Sequence, residues 1–116
     1  VKWGPLIVGD IADREKLLAS FEQYQPVAVL HFAASAYIGE SVSDPAKYYR
    51  NNVGGIISLL DTCRDAKISK FVFSSSCATY GASGVVPVEE TTPQRPISPY
   101  GRTKLILLLI EPRPII

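Results

Sequence analysis

Val27-Ala28-Val29-Leu30-His31-Phe32-Ala33-Ala34 is a nearly unbroken apolar run, closed upstream by Pro26. A strand with one wet face alternates polar and apolar residues, so a run without alternation fits a strand buried on both faces, as in a parallel sheet covered by helices. The flanking segments supply such helices. Asp13 to Phe21 has helical spacing behind an aspartate able to cap it, and Pro26 stops that helix. Asp44-Pro45 opens a second, with proline in the first turn where its missing N–H does no harm. Tyr48, Tyr49, Val53, Ile56, Ile57, Leu60 and Cys63 then recur at helical steps up to about Ala66, predicting one face turned to the sheet.

Two further runs predict strands. Leu6-Ile7-Val8 ends at Gly9-Asp10, and Lys70-Phe71-Val72-Phe73 runs into Ser74-Ser75-Ser76. After a loop from Gly81 to Pro96, Ser98-Pro99-Tyr100 reads as cap, first turn and onset of a third helix. Strands alternating with helices predict a parallel α/β sheet with right-handed crossovers.

At 116 residues the chain holds one domain at most. Twelve Lys and Arg against eleven Asp and Glu leave a net charge of +1 without any block of like charge, so no footprint for nucleic acid is present. Cys63 and Cys77 form no CxxC pair and His31 is the single histidine, too few ligands for a tetrahedral metal site. Neither a disulfide framework nor a signal pattern at Val1–Pro5 is suggested, and no stretch reaches the roughly 18 apolar residues of a membrane span. These features predict a cytoplasmic protein. The chain opens at Val1 and contains no Met, which predicts that its first elements precede that residue.

In open parallel sheets, ligands bind at the carboxyl ends of strands. Gly9-Asp10, Ala33-Ala34-Ser35-Ala36 and Ser74-Ser75-Ser76 stand at those ends, and Tyr100 and Lys104 lie one helical turn apart on the last helix. A phenol is a poor base at neutral pH unless a positive charge stabilises its phenolate. Lys104 supplies that charge, and a strand-end serine hydroxyl can bind the same substrate oxygen. Such a set suits removal of an alcohol proton while hydride passes to a nicotinamide. Tyrosine and lysine at this spacing are common as a mere surface pair, so the surrounding blocks decide their weight.

Those blocks are Gly9-Asp10-Ile11, His31 to Ser41, Tyr48-Tyr49-Arg50-Asn51-Asn52-Val53, Phe71 to Gly81, and Ser98 to Lys104. Together they resemble the UDP-glucose 4-epimerases of the extended short-chain dehydrogenase/reductase family. The resemblance implies a partial Rossmann-like, doubly wound parallel sheet (strands 3 to 5 with flanking helices), and residues 1–116 as part of an NAD-binding domain truncated at both ends. It implies NAD as cofactor, UDP-glucose and UDP-galactose as substrates, transient oxidation at sugar C4, and a homodimeric parent. Tyr100 matches the catalytic base, Lys104 the lysine that holds the nicotinamide ribose, and Ser76 the proton-shuttling hydroxyl. Asp10 and Ile11 match adenine contacts. Phe32, Ala33, Ala34, Ser35 and Ala36 match the cofactor lining, and Asn51 a cofactor-contacting helix position. Ala36 replaces a lysine common in the family.

The bland readings differ residue by residue. His31 is expected to be a packed strand residue and Cys77 a small buried hydrophobe. Asp10 has the alternative of capping the next helix, and the serines of satisfying a strand end. The phosphate-binding fingerprint G-x-G-x-x-G is missing, and the family's strand order would leave a gap where strands 1 and 2 pair. The chain alone is therefore expected to be inactive and marginally stable or aggregating. Leu105 to Ile110 is uniformly apolar where an amphipathic helix is expected, and Pro112 and Pro114 follow, which suggests a truncated or frame-shifted tail. Alternatives are another nucleotide-sugar epimerase or dehydratase, or a non-catalytic interaction module. Cys77 and Ala78 stand where many dehydratases carry an acidic pair.

Overall fold

Asp13 caps the first helix, α1 (Arg14–Tyr24), by accepting a hydrogen bond from the Lys16 N–H at 3.1 Å. The computed structural model describes residues 4–84 and 86–110. Gln25 ends α1 in the left-handed conformation (φ 43°), returning its N–H to the Phe21 carbonyl, and Pro26 cannot continue the helix. The long apolar run then yields β1 (Val29–His31). It pairs in parallel with β2 (Phe71–Phe73), in the register Val29–Phe71, Leu30–Val72 and His31–Phe73.

The connection between the two strands is helical. It comprises α2 (Ile38–Ser43), α3 (Pro45–Tyr48), a π-helical turn (Tyr49–Gly54) and α4 (Gly55–Asp65). Asp44 caps α3 through the Lys47 N–H at 3.1 Å, with Pro45 in the first turn. After β2 a short 3-10 turn (Cys77–Thr79) leads through a loop to α5 (Pro99–Ile110), whose entry is fixed by Ser98 accepting from the Gly101 N–H. Gly81 (φ 66°) is required within that loop, because a side chain there would run into the Arg95 carbonyl.

The core lies where α5 packs on α3 and the π-helical turn. Tyr48, Ile56 and Leu107 are at most 1 % exposed, and burial of each is worth about 1.5–3 kcal/mol. Leu59 and Cys63 extend the buried face along α4, against which α1 packs. An exposed ion pair between Arg14 and Asp65 joins α1 to α4.

The α/β class and the parallel pairing are as expected, with three differences. Leu6–Val8 is not a strand: Leu6 and Val8 are 77 % and 76 % exposed, and no described segment lies alongside to complete a hydrogen-bonded ladder. The sheet therefore has two strands among the described residues, with Leu30 and Val72 exposed together on one face. Helix α2 was not anticipated, since Gly39, Ser41, Val42 and Ser43 are weak helix formers. The helix expected from Pro45 onward is present, yet its middle is π-helical. Leu105–Ile110 continues α5, with Leu107 buried and Leu109 exposed. The breaks anticipated at Pro112 and Pro114, and Val1–Trp3, lie outside the described residues.

Candidate active site at the ends of the two strands

β1 and β2 end side by side, and both continue into polar segments. From β2 the chain enters Ser74-Ser75-Ser76, and α5 crosses this end. Lys104, 3 % exposed, donates from Nζ to the Ser74 carbonyl at 2.8 Å and lies 4.6 Å from the centroid of the Phe73 ring. Burial holds its pKa below the usual lysine value. His31, 3 % exposed, stacks on the other residues of the sheet floor, with ring centroids 5.8 Å from Phe73 and 6.0 Å from Phe71. Burial, then the Lys104 charge, lowers its pKa, so its ring is neutral. Its buried Nε2 has no hydrogen-bond partner. The expected packed histidine is thus what the fold contains.

Tyr100 sits one helical turn before Lys104 and is 9 % exposed. The Tyr48 ring meets it edge-on, with centroids 6.5 Å apart and planes at 84°. Tyr48 is itself pinned, its hydroxyl 2.7 Å from the Tyr37 carbonyl and 2.8 Å from the Glu40 carboxylate. Glu40 is paired in turn with Lys47, and these two hydrogen bonds hold its pKa below the usual glutamate value. Burial and the Glu40 contact push the Tyr48 phenol up, so Tyr48 stays protonated.

Ser76 caps the 3-10 turn: its Oγ accepts from the Ala78 N–H at 3.2 Å. That bond uses an acceptor lone pair and leaves the hydroxyl proton for another partner. Cys77 is exposed, contrary to the expectation of a buried hydrophobe; it opens the turn, and the inward position of that turn belongs to Thr79, 1 % exposed.

Beyond β1, Phe32 (68 % exposed), Ala33 and Ala36 face outward, while Ala34 and Ser35 are half-buried. Ser35 is held by Asn52, a residue the motif reading quoted without assigning a role. Asn52 Oδ1 accepts from the Ser35 N–H at 2.8 Å, and its Nδ2 donates to the Ser35 carbonyl at 3.0 Å and to Thr103 Oγ1 at 3.1 Å. Thr103 donates to the Tyr100 carbonyl at 2.7 Å. One fully buried amide therefore ties the β1 loop to the helix bearing Tyr100 and Lys104. Asn51 donates to Ser35 Oγ at 3.1 Å and to Asn52 Oδ1 at 3.0 Å. Two adjacent asparagines reach one loop because the π-helical turn departs from ordinary α spacing.

Asp10 and Ile11 lie elsewhere. Asp10 Oδ1 accepts from the Ala12 N–H at 2.8 Å, and the cap of α1 is Asp13 instead. Both residues line a cleft with Ile7, Lys16 and Ser20, apart from the Tyr100 cluster. Among the described residues no group of His, Cys, Asp and Glu is placed to hold a metal.

A family profile described as GDP-mannose 4,6 dehydratase matches residues 4–110. The chain belongs to this family, within the extended short-chain dehydrogenases/reductases. A UDP-glucose 4-epimerase from Rhizobium leguminosarum bv. trifolii is 52 % identical over 107 residues, covering 92 % of this chain and 33 % of that protein. The crystal structure of UDP-glucose 4-epimerase from Brucella ovis in complex with NAD superposes with a TM-score of 0.90 at 59 % identity, covering 93 % of this chain and 33 % of that one. A Stenotrophomonas maltophila UDP-glucose 4-epimerase, with bound NAD and formylated UDP-arabinopyranose, gives a TM-score of 0.87 at 41 % identity over 91 % of this chain and 32 % of that one. The family member described here thus spans about one third of the length of the relatives it matches.

Proposed function

We propose that the chain is the part of an NAD-dependent UDP-glucose 4-epimerase that carries the catalytic serine, tyrosine and lysine, within an NAD-binding Rossmann-like domain. The observation that carries this reading is the placement of Tyr100 and Lys104 on one buried turn of α5, with Lys104 anchored on the Ser74 carbonyl just past β2, two positions before Ser76. The likeness to epimerases holding NAD and a UDP-sugar supports it.

In this reading the Tyr100 phenolate accepts the proton of the sugar C4 hydroxyl, and the Ser76 hydroxyl donates a hydrogen bond to the same oxygen while keeping its own proton. Lys104, one helical turn beyond Tyr100, brings the positive charge to the site in this reading. NAD, when bound, supplies the hydride acceptor and donor at C4. The residues present fit such a group: the small Ala33, Ala34 and Ala36 leave the end of β1 open to a flat ring, and Asn51 and Ser35 offer polar atoms beside it. Asp10 and Ile11, on their separate cleft, are proposed to meet the adenine end. The parent is proposed to be a homodimer using the helices from Pro45 and from Ser98. Among the described residues no helix is long and apolar enough to cross a membrane. Cys77 and Ala78 place no carboxylate beside Ser76, which favours epimerisation over dehydration.

The test is a hybrid in which residues 4–110 replace the matching third of the Brucella ovis enzyme. It should interconvert UDP-galactose and UDP-glucose, and Tyr100→Phe should lower kcat by at least about 100-fold, the lower end of the usual range for a general base. A folded, NAD-containing hybrid without turnover, or full turnover in Tyr100→Phe, overturns the reading.

A further inference from the structure

Tyr100 is followed by a glycine, and the space around that glycine is closed. A Cβ built on Gly101 would stand 2.5 Å from the Ala78 carbonyl oxygen, 3.1 Å from its carbon and 3.0 Å from the Pro96 side chain. Real Cβ contacts essentially never fall below 3.0 Å and are ordinary from 3.4 Å, so a methyl would require a shift of about 0.5–0.9 Å. Gly39, in α2, meets nothing within 4 Å.

Neither partner in the Gly101 contact is free to move alone. Ala78 belongs to the 3-10 turn, whose backbone is closed by Thr79 N–H to the Ser76 carbonyl and Tyr80 N–H to the Cys77 carbonyl. Thr79 Oγ1 reinforces it, donating to the Ser76 carbonyl at 2.9 Å while accepting from Gln94 at 3.2 Å. The Ser76 hydroxyl caps the same turn on the Ala78 N–H. On the other side, the Gly101 N–H is committed to Ser98 Oγ at 3.1 Å. Two rigid pieces, one carrying Ser76 and the other Tyr100, therefore meet backbone to backbone at Gly101.

We propose that Gly101 is a positioning residue that sets the separation between the Ser76 hydroxyl and the Tyr100 phenol, by letting α5 dock directly on the Ala78 carbonyl. The proposal rests on the functional reading above. Proton transfer from a sugar hydroxyl requires both groups to reach one oxygen, and a misplacement of about 1 Å costs up to about 100-fold in rate. The side chain that Gly101 lacks thus bears on catalysis rather than on holding substrate.

In the hybrid enzyme, Gly101→Ala should lower kcat by about 10- to 100-fold while the KM for UDP-galactose and the NAD content stay within about twofold. Thr79→Val, which loosens the same turn from its far end, should lower kcat in the same selective way by a smaller factor, and it tests the docking if Gly101→Ala fails to fold. Gly39→Ala should behave as the unsubstituted hybrid. A Gly101→Ala enzyme with kcat within twofold of its parent overturns the proposal, as does a loss shared equally with NAD content. Crystal structures separate this failure from failure of the functional reading: an unchanged distance between Ser76 Oγ and Tyr100 Oη in Gly101→Ala refutes the positioning role whatever the activity.

Discussion

Lys104 is anchored on Ser74: its ammonium, almost fully buried, gives a proton to a strand-end carbonyl at 2.8 Å across a sequence separation of thirty residues. No carboxylate forms an ion pair with it among the described residues; the carbonyl and the Phe73 ring carry the compensation. A buried cation so held costs the fold and serves the site.

Lys104→Met in the hybrid enzyme should therefore separate stability from activity. The methionine keeps the length of the stem and removes the desolvated charge, so the thermal midpoint should stay level or rise. Epimerase turnover should fall by at least about 100-fold, since the charge favouring phenolate is gone. Calorimetry and steady-state assays check both; a large drop in midpoint would show the ammonium to be a net stabiliser.

His31 predicts an acid limb in stability. Its folded pKa lies below its ordinary value of 6.5, because burial and then Lys104 disfavour the imidazolium. Between those two values the unfolded chain binds the extra proton, so stability is fully present above pH 6.5 and is lost as pH falls toward the folded value. The slope reaches at most about 1.4 kcal/mol per pH unit. His31→Phe keeps an aromatic ring against Phe71 and Phe73 and should flatten this limb in urea titrations at pH 5 to 7; an unchanged limb assigns it to other groups.

Asn52→Ala tests the bridge between the β1 loop and α5. It leaves the Ser35 N–H, the Ser35 carbonyl and Thr103 Oγ1 short of a partner, and each stranded buried group costs about 1–3 kcal/mol. Stability to denaturant should fall by about 2–4 kcal/mol in total, because the half-buried Ser35 groups recover part of their loss from water, and NAD should bind more weakly as Ser35 loosens. A loss under about 0.5 kcal/mol would mean that water replaces the amide.

Much of this was legible along the chain. The gapless apolar run announced β1, and caps at Asp13, Asp44 and Ser98 announced three helices, because side-chain capping is a local event. Leu6–Val8 misled for the complementary reason: a strand exists only with a neighbour, and pairing is not written in the strand itself. Tyr100, Lys104 and Ser76 were singled out through spacing and resemblance, and the fold places Tyr100 and Lys104 on one buried helical turn. Asn52, Thr103 and Gly101 were not, since a hydrogen-bond bridge and a forbidden methyl are properties of approach between distant segments. Cys77 was misjudged because a three-residue turn decides which of its side chains points inward, and composition says nothing of that.

The π-helical turn at Tyr49–Gly54 acts as a phase slip in an otherwise continuous helical rod from Pro45 to Asp65. Upstream, the rod presents Tyr48 to Tyr100; downstream, it presents Ile56, Leu59 and Cys63 to the interior. Excising one residue from the slip would restore regular winding and rotate one half against the other by about 100°, the angle of a single α-helical step. The rod would then be obliged to give up either the aromatic brace or the hydrophobic seam, so the irregularity is what lets one helix serve two masters.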